Sequence, residues 1–208
     1  MNIICVKFGP KYGSEFVNKL YDDLKDQSRF TNFYCYTDDI TGLHESINVI
    51  PDMGRPTLKV WWNKLRMFDK NFPLSGETMF LDLDVKIQDP VKIFKIAGQG
   101  ITFIDSHWKV GKLYNRLSNY DVKMNSSMIT WDADDPEVHK IWDHFNTGLR
   151  DYYLRKYKGI DRFIVHEDFE YETFGHEYIQ SKKYQPNINY KPVITTFEEL
   201  PVGIKDLI

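Results

Sequence analysis

Two aspartates one residue apart, Asp82 and Asp84, interrupt an apolar stretch in the middle of the chain. This stretch, residues 78–85, is bounded by Gly76 and by Asp89-Pro90, which predicts a buried strand. Burying an ionised carboxylate is costly unless it is paired or binds a metal, and residues i and i+2 share one face of a strand. The pair therefore predicts a site for Mg²⁺ or Mn²⁺, which prefer oxygen ligands. A chance Asp-x-Asp triplet in a solvated turn remains the alternative.

The bulk composition predicts one packed globular domain over residues 1–208. Hydrophobic residues make up 42% of the chain and aromatic residues 15%, which excludes a disordered protein. The net charge of −3 provides no general attraction for nucleic acid, so no nucleic-acid partner is expected. No apolar run reaches the ~18 residues needed to cross a membrane, so no transmembrane segment is expected either.

The two cysteines favour a reducing compartment. Cys5 and Cys35 both fall in predicted strands and are interpreted as core thiols, although a disulfide between them stays open. The first residues carry no basic leader and no small-residue cleavage site. We therefore expect a cytoplasmic protein.

Strands and helices alternate along the first part of the chain. Strands are predicted at 3–8, 32–36 and 47–50, and helices from Ser14 and across 60–68. This alternation favours an α/β domain with a central, mostly parallel sheet and helices on both faces. Ligands of such sheets bind beyond the carboxyl ends of the strands. Residues 9–13, 37–39 and 82–84 each follow a predicted strand, so one edge of the sheet is expected to collect them.

The later part of the chain is less regular. A strand is predicted at 100–104 and a loop at 105–108, and residues 125–131 are interpreted as a loop that enters a strand. Pro136 is expected to open one helix that continues towards Tyr157, although Gly148 is unfavourable within it.

Five segments, in this order, resemble small GT-A-type glycosyltransferases related to glycosyltransferase family 8, of the kind found in bacteria and phages. They are residues 6–13, 35–39, 61–68 with a Trp-Trp-x-Lys-Leu pattern, 80–85 with Asp-x-Asp, and 124–128 with Asn-Ser-Ser. The resemblance implies a Rossmann-like GT-A fold with a mixed, mostly parallel sheet. It also implies a nucleotide-binding half in residues 1–90 and an acceptor-side half in residues 91–208.

The resemblance implies a hexosyltransferase-like enzyme. Such an enzyme moves a sugar from a nucleoside diphosphate sugar, by default a UDP-sugar, to a hydroxyl of a glycan or another acceptor in a bacterium or a phage-infected cell. Asp82 and Asp84 then hold Mn²⁺ or Mg²⁺, while Lys64 and Asp161 are the catalytic candidates. A solvated helix lysine and an ordinary salt-bridge aspartate remain their alternatives.

Further binding residues are expected on both sides of this centre. Those for the nucleotide or donor are Phe8, Gly9, Tyr12, Asp38, Asp39, Lys64 and Leu83, and those for sugar or acceptor are His107, Trp108, Asn125 and Ser126. Ordinary turn or core roles remain the alternative for each. Trp61 and Trp62 are expected mainly in the core, with at most one facing the site, and Arg66 is expected at the surface.

The chain departs from the family pattern in two places. A Gly-Asp-Gln motif is expected after the long helix, and the chain has Gly159-Ile160-Asp161-Arg162 there. A late histidine often supplies a third metal ligand, and no histidine follows His176. Three alternatives stay open: two carboxylates and the diphosphate hold the metal alone, His166 or His176 substitutes, or the activity is reduced.

Two other functions stay open. One is a nucleotide- or carbohydrate-binding domain without turnover. The other is a metal-dependent nucleotidyl or phosphoryl enzyme, for which the loop at residues 9–13 has too few glycines to cradle a phosphate.

Overall fold

The computed structural model describes residues 1–54, 58–96, 100–109, 122–197 and 201–208. The strands are β1 Asn2–Lys7, β2 Phe33–Thr37, β3 Asn48–Pro51, β4 Glu77–Leu81, β5 Val85–Ile87, β6 Thr102–Asp105, β7 Met124–Asp132, β8 Glu172–Phe174, β9 Ile179–Ser181 and β10 Ile194–Thr196. The α-helices are α1 Ser14–Leu24, α2 Pro136–Phe145, α3 Arg150–Lys156, α4 Ile160–His166 and α5 Ile204–Leu207. Short 3-10 helices cover Val60–Phe68, Ile93–Lys95, His107–Lys109 and His176–Tyr178.

A seven-stranded sheet in the order β3-β2-β1-β4-β7-β6-β8 forms the centre of the fold. Strands β3, β2, β1 and β4 run parallel, as do β6 and β8, whereas β7 is antiparallel to both of its neighbours. A smaller sheet has the order β5-β10-β9. The prediction of an α/β fold with a mixed, mostly parallel sheet is therefore confirmed.

Each face of the large sheet buries its own apolar core. On one face, α1 packs Phe16, Val17 and Leu20 against side chains of β1 and β2. On the other face, the 3-10 helix Val60–Phe68 packs with α2 and α4. Helices on both faces are what the alternating pattern predicts, because each face of a parallel sheet needs a cover.

The segment Val60–Phe68 is a 3-10 helix with three residues per turn, so residues i and i+3 eclipse one another. Trp62, Leu65 and Phe68 form its inner row and are buried. Trp61 and Lys64 share another row, and Trp61 is 51% exposed. The helix therefore sends one tryptophan into the core and directs the other outward beside Lys64.

Arg66 corrects an expectation. We predicted a surface residue, but Arg66 is only 4% exposed. Its guanidinium lies 5.0 Å from the Trp142 ring centre and donates a hydrogen bond to the Gly54 carbonyl. The prediction rested on its position two residues after Lys64, whereas the elements packed around this short helix bury all of residues 62–68.

The Asp-x-Asp segment also differs from the prediction of one continuous strand. Strand β4 ends at Leu81, and residues 82–84, called here the Asp-x-Asp turn, connect it to β5. The Asp82 amide still donates to the Ser127 carbonyl of β7, but β5 pairs with β10 in the smaller sheet. The chain thus changes sheets at the two aspartates, and their side chains line cavities there rather than the apolar core.

Two further boundaries differ. Asn125 and Ser126 lie within β7 rather than in a loop before it. The single helix expected from Pro136 is divided into α2 and α3 by residues 146–149, which include Gly148.

The cysteines are core thiols, as predicted. Cys5 and Cys35 are register partners in β1 and β2, free and fully buried, so they form no disulfide. Among the described residues, no helix combines the length and the apolar character needed to cross a membrane.

Candidate active site

Lys64 and Asp82 form the best-defined ion pair of the site. The Lys64 ammonium lies 2.7 Å from Asp82 Oδ1 and 2.8 Å from Asp82 Oδ2. A further hydrogen bond runs to the Ser126 carbonyl at 3.3 Å. The Lys64 side chain is only 11% exposed, so the pair is held in a largely dry setting. The Lys64 ammonium thus donates its hydrogen bonds to Asp82 and to the Ser126 carbonyl.

Burial and charge act together on Asp82. Burial raises the pKa of Asp82 above its ordinary value, the Lys64 ammonium opposes this rise, and the Asp84 carboxylate adds to it. The negative charges of Asp82 and Asp84 repel each other, so a positive charge close to them is stabilising. In the described structure, the Lys64 ammonium provides a positive charge at Asp82.

Asp84 is held by Tyr12. The Tyr12 hydroxyl donates a 2.7 Å hydrogen bond to Asp84 Oδ2, and the Lys11 ammonium lies 3.9 Å from the same oxygen. Burial, together with the Asp84 charge, raises the pKa of Tyr12, so the phenol stays a neutral donor at physiological pH. Asp84 Oδ1 makes no hydrogen bond with any described residue and is available to a ligand.

Two neighbouring cavities meet at the Asp-x-Asp turn. The small cavity has a volume of about 190 Å³ and the large cleft about 700 Å³. Both are lined by Trp61, Lys64, Asp82 and Asp84. The carboxylate pair therefore faces both spaces, which places it where two ligands, or two parts of one ligand, would meet.

The small cavity collects several predicted nucleotide residues. Phe8, Tyr12 and Leu83 line it together with Val6, Lys7 and Lys11. The Phe8 ring packs edge-on against Tyr36, and the Tyr12 ring packs against Phe16. The cavity thus has aromatic walls that the core holds in place.

Three other predicted nucleotide residues lie outside the lining of both cavities. Gly9 has a φ of +72°, and its amide donates to the Asp38 carboxylate at 3.1 Å. Asp39 pairs with the Lys7 ammonium at 3.4 Å. Asp38 and Asp39 thus brace the loop after β1, and their predicted ligand contacts stay predictions.

The large cleft contains predicted catalytic and acceptor residues. Asn125 and Ser126 enter it from β7, where both are largely buried, and Asp161 enters it from the first turn of α4. Lys64 and the two aspartates of the Asp-x-Asp turn line both this cleft and the small cavity. Asp161 and Lys64 therefore share one cleft although 97 positions separate them in the sequence.

His107 and Trp108 do not line either cavity. Trp108 is buried in the core at 5% exposure, and His107 stacks on His176 with ring centres 4.2 Å apart. Burial lowers the pKa of His107, and the positive charge that His176 can carry adds to this effect. Sugar contact by these two residues stays a prediction that the geometry does not support.

The two histidines proposed as a third metal ligand point elsewhere. His176 bonds to Asp105, and His166 stacks parallel to Tyr157. Across the described ranges, no three His, Cys, Asp or Glu side chains gather in a way that could hold a metal ion. The carboxylates of the turn nevertheless fit a hard cation in ligand type, with an open oxygen on Asp84, if Lys64 gives way at Asp82.

Several cleft residues were missed by sequence reasoning. They are Lys59, Leu154, Arg155, Tyr157, Lys158, Arg162 and Tyr184. Of the two tryptophans expected mainly in the core, Trp61 is half exposed and lines both cavities, and the buried Trp62 also reaches the lining of the large cleft. The basic residues between positions 155 and 162 gave a compositional signal, but only the fold shows that this segment turns towards the Asp-x-Asp turn.

No protein-family model matches the chain, and no curated protein sequence matches it. Solved structures do. The galactosyltransferase LgtC, solved with donor and acceptor sugar analogues, has a TM-score of 0.61 at 11% identity, over 95% of this chain and 87% of that one. The apo form of the glycosyltransferase GlyE of Streptococcus pneumoniae TIGR4 has a TM-score of 0.65 at 10% identity, over 98% of this chain.

The chain spans 57% of the GlyE chain, so GlyE contains much that this chain lacks. At such low identity, the similarity shows the fold alone. The chain thus has the fold of GT-A-type glycosyltransferases, as the sequence resemblance implied.

Proposed function

We propose that this chain is a metal-dependent glycosyltransferase that moves a sugar from a nucleoside diphosphate sugar, in the first instance a UDP-sugar, to an acceptor hydroxyl. The observation that carries the proposal is the position of Lys64, Asp82 and Asp84 where the small cavity meets the large cleft. Charged groups at that junction suit a diphosphate that connects a nucleoside to a sugar. The shared fold with LgtC and GlyE supports the same reaction class.

The two cavities divide the donor between them. The small cavity, with Phe8 and Tyr12 in its wall, takes the nucleoside, because flat aromatic walls favour stacking of a base. The sugar then enters the large cleft beside Asn125 and Ser126, whose polar groups suit sugar hydroxyls. This arrangement places the diphosphate at the Asp-x-Asp turn.

Asp82 and Asp84 are the residues that would hold Mn²⁺ or Mg²⁺. A divalent cation there supplies Lewis-acid stabilisation of the negative charge that develops on the diphosphate as it leaves. The chain's own contribution is Lys64, whose ammonium stands at the same place and adds a second positive charge. The largely dry setting strengthens both effects.

Asp161 takes the proton. In the transfer, the bond between the sugar carbon and the diphosphate oxygen breaks, and a bond from the acceptor oxygen to that carbon forms. The acceptor hydroxyl must then lose its proton, and Asp161 is the carboxylate in the lining of the large cleft that lies outside the Asp-x-Asp turn. Arg162, which is positively charged, follows Asp161 directly in α4.

Calorimetric titration with UDP tests the donor site. We expect UDP to bind in the presence of Mn²⁺ and to lose at least about tenfold in affinity when excess chelator is added. Asp84→Asn should remove most of the metal effect while the melting temperature stays close to that of the wild type. Asp22→Asn, an exposed aspartate of α1 that pairs with Lys25, is the matched control and should bind as the wild type does. Equal affinity with Mn²⁺ and with chelator would contradict the metal-dependent part of the proposal.

Product analysis separates the enzyme classes. A glycosyltransferase incubated with UDP-glucose or UDP-galactose releases UDP. A phosphohydrolase instead releases UMP and a sugar 1-phosphate, and a nucleotidyltransferase passes the UMP group to its acceptor and releases the sugar 1-phosphate. We expect UDP, slowly, through hydrolysis when no acceptor is present. Monophosphate as the first product would contradict the assignment.

A binding domain without turnover is the second candidate. The observation that favours it is the inward-facing ion pair, in which Lys64 directs its donors to Asp82 and Ser126. Tight UDP-sugar binding with no UDP release over a range of sugar and glycan acceptors would support this candidate against the enzyme.

A further inference from the structure

The large cleft is positively charged although the chain as a whole carries a net charge of −3. Three carboxylates line it, those of Asp82, Asp84 and Asp161. Five cationic side chains face them, those of Lys59, Lys64, Arg155, Lys158 and Arg162. Scattered basic residues on a convex surface are normally solvated, but this group lines a concave space of about 700 Å³.

The proposed donor does not use up this excess. The diphosphate and the divalent cation of the proposed reaction largely neutralise each other. Within the lining, Lys64 already pairs with Asp82, and Asp84 is held from the small-cavity side by Tyr12 and Lys11. The other basic residues of the lining are Lys59, Arg155, Lys158 and Arg162.

The basic residues of this lining come from two parts of the chain that the fold brings together. Arg155 lies in α3, Lys158 in the connection to α4 and Arg162 in α4, while Lys59 directly precedes the 3-10 helix. The half-exposed Trp61 belongs to the same lining. An exposed aromatic ring beside cations suits a ligand with both an apolar sugar face and a negative group.

Neighbouring cations outside the cleft behave differently. Lys156 pairs with Glu167 at 3.1 Å, and Arg150 lies 3.8 Å from Asp151. Lys59 and Arg155, in contrast, form no ion pair with any residue in the described ranges and are exposed to the cleft. Within the described ranges, the fold thus leaves Lys59 and Arg155 without an ion pair in the cleft that the proposed acceptor would enter.

We infer that the acceptor is anionic: a sugar or polyol that carries a phosphate group. Its phosphate binds among Arg155, Lys158, Arg162 and Lys59, its ring lies against Trp61, and its free hydroxyl approaches Asp161. Arginine suits this role, because its planar guanidinium forms paired hydrogen bonds with phosphate oxygens. The inference rests on the proposed function, since it names the second substrate of the same cleft.

The test is calorimetry on UDP- and Mn²⁺-saturated protein with three probes: glucose 6-phosphate, glucose and inorganic phosphate. We expect glucose 6-phosphate to bind at least about tenfold more tightly than either of the other probes, because it combines the charged and the aromatic contacts. The affinity should fall steeply as salt is raised from 50 to 300 mM. Inorganic phosphate tests the charged contact alone, and glucose tests the contact with the aromatic ring alone.

The variant Lys59→Gln/Arg155→Gln should weaken glucose 6-phosphate binding by about tenfold or more and leave UDP binding unchanged. Arg150→Gln is the matched control, because it removes the same charge from α3 outside the cleft lining and should bind as the wild type does.

The outcomes separate this inference from the proposed function. If UDP binds but glucose and glucose 6-phosphate bind equally, or if the double variant binds the phosphosugar as well as the wild type does, the anionic acceptor is wrong and the proposed function stands. If UDP itself does not bind with Mn²⁺, both are wrong.

Discussion

Lys64 occupies the place at Asp82 that a divalent cation would take. Both carboxylate oxygens of Asp82 lie within 2.8 Å of the lysine ammonium, and two positive charges at such distances repel each other. A cation at the proposed site would therefore compete with Lys64 for Asp82 as long as no diphosphate is present. A bound diphosphate would remove the conflict, since it would offer acceptor oxygens to both.

The first prediction concerns Lys64→Met. In the absence of nucleotide, we expect Mn²⁺ to bind this variant at least about tenfold more tightly than the wild type, because the competing charge is gone. Release of UDP from a UDP-sugar should nevertheless slow by ~10²–10³-fold, since the leaving group loses an electrostatic contact. Counting free Mn²⁺ by electron paramagnetic resonance measures the first effect, and product assay measures the second.

Lys19→Met is the control for this prediction. Lys19 pairs with Asp23 at 2.6 Å on α1 and lies in neither cavity lining, so its loss should change neither quantity. Weaker Mn²⁺ binding by the Lys64 variant would show that the lysine supports the cation site rather than competing with it.

At the scale of elements, the 3-10 helix Val60–Phe68 connects the core to the site. Its inner row buries Trp62, which stacks on Phe145 of α2 with ring centres 5.4 Å apart. Its outer row presents Trp61 and Lys64 to the cavities. Because rows in a 3-10 helix repeat every three residues, packing of the inner row fixes the direction of the outer row.

The second prediction compares two adjacent tryptophans. Trp62→Ala should lower the free energy of unfolding by about 3–5 kcal/mol, because it leaves a cavity beside Phe145 and Phe163. Trp61→Ala, the matched control one position earlier, should change it by about 0.5 kcal/mol or less, because that side chain is half exposed. Urea denaturation of both variants provides the measurement, and equal destabilisation would show that the assigned rows are wrong.

The Glu167 side chain connects the end of α4 to α2 and α3. It lies at the end of α4 and contacts His144 of α2 at 3.0 Å and Lys156 of α3 at 3.1 Å, and it accepts a hydrogen bond from the Tyr157 hydroxyl. Burial on its own raises the pKa of Glu167, but these hydrogen bonds outweigh it and lower the pKa to about 2.

The third prediction is the acid dependence that follows. A carboxyl whose pKa is lowered in the folded state stabilises the fold above the unfolded pKa, near 4.5, and this stability is lost as the pH falls towards about 2. Glu167→Gln should therefore flatten the decline in melting temperature between these values and cost about 1–3 kcal/mol at neutral pH. Melting curves from pH 2 to 7 test it, with Asp151→Asn, an exposed aspartate of α3, as the control. An unchanged acid profile would exclude Glu167 as its source.

At the scale of the whole molecule, one sheet separates two apolar cores, and its middle strands are the best protected part of the fold. Cys5 and Cys35 lie there as neighbours on β1 and β2, with no exposed surface. Burial raises the pKa of the Cys5 thiol, and the adjacent Cys35 adds to this rise, so Cys5 remains a protonated, unreactive thiol in the native state.

The fourth prediction uses these thiols as probes of global opening. In native buffer at pH 8, neither cysteine should react with an aromatic disulfide reagent at an appreciable rate, and both should react at once in 8 M urea. Between these limits, the labelling rate should follow the urea dependence of global unfolding, because no local opening of β1 and β2 exposes them. Rapid labelling without denaturant would indicate that the centre of the sheet opens locally.

The sequence by itself determined the fold class and the centre of the candidate site. Alternating strand and helix patterns predicted a mixed sheet covered on both faces, since these patterns record which side of each element is buried. Asp82, Asp84, Lys64, Tyr12 and Asp161 were chosen from residue type, position after a strand and resemblance, and the structure brings all of them to adjoining cavities. Their catalytic roles remain predictions.

Only the tertiary structure decided how these residues are directed and partnered. Local sequence does not show which elements cover a helix, and so Arg66 was placed at the surface although it is buried beside Trp142 of α2. His107 and Trp108 follow a strand, as a ligand residue would, yet neighbours distant in sequence turn them away from the cleft. The basic lining likewise joins Lys59 to Arg155 across 96 positions. Local sequence reports burial and turns, whereas charge complementarity in a cleft depends on contacts between distant segments that only the packed chain defines.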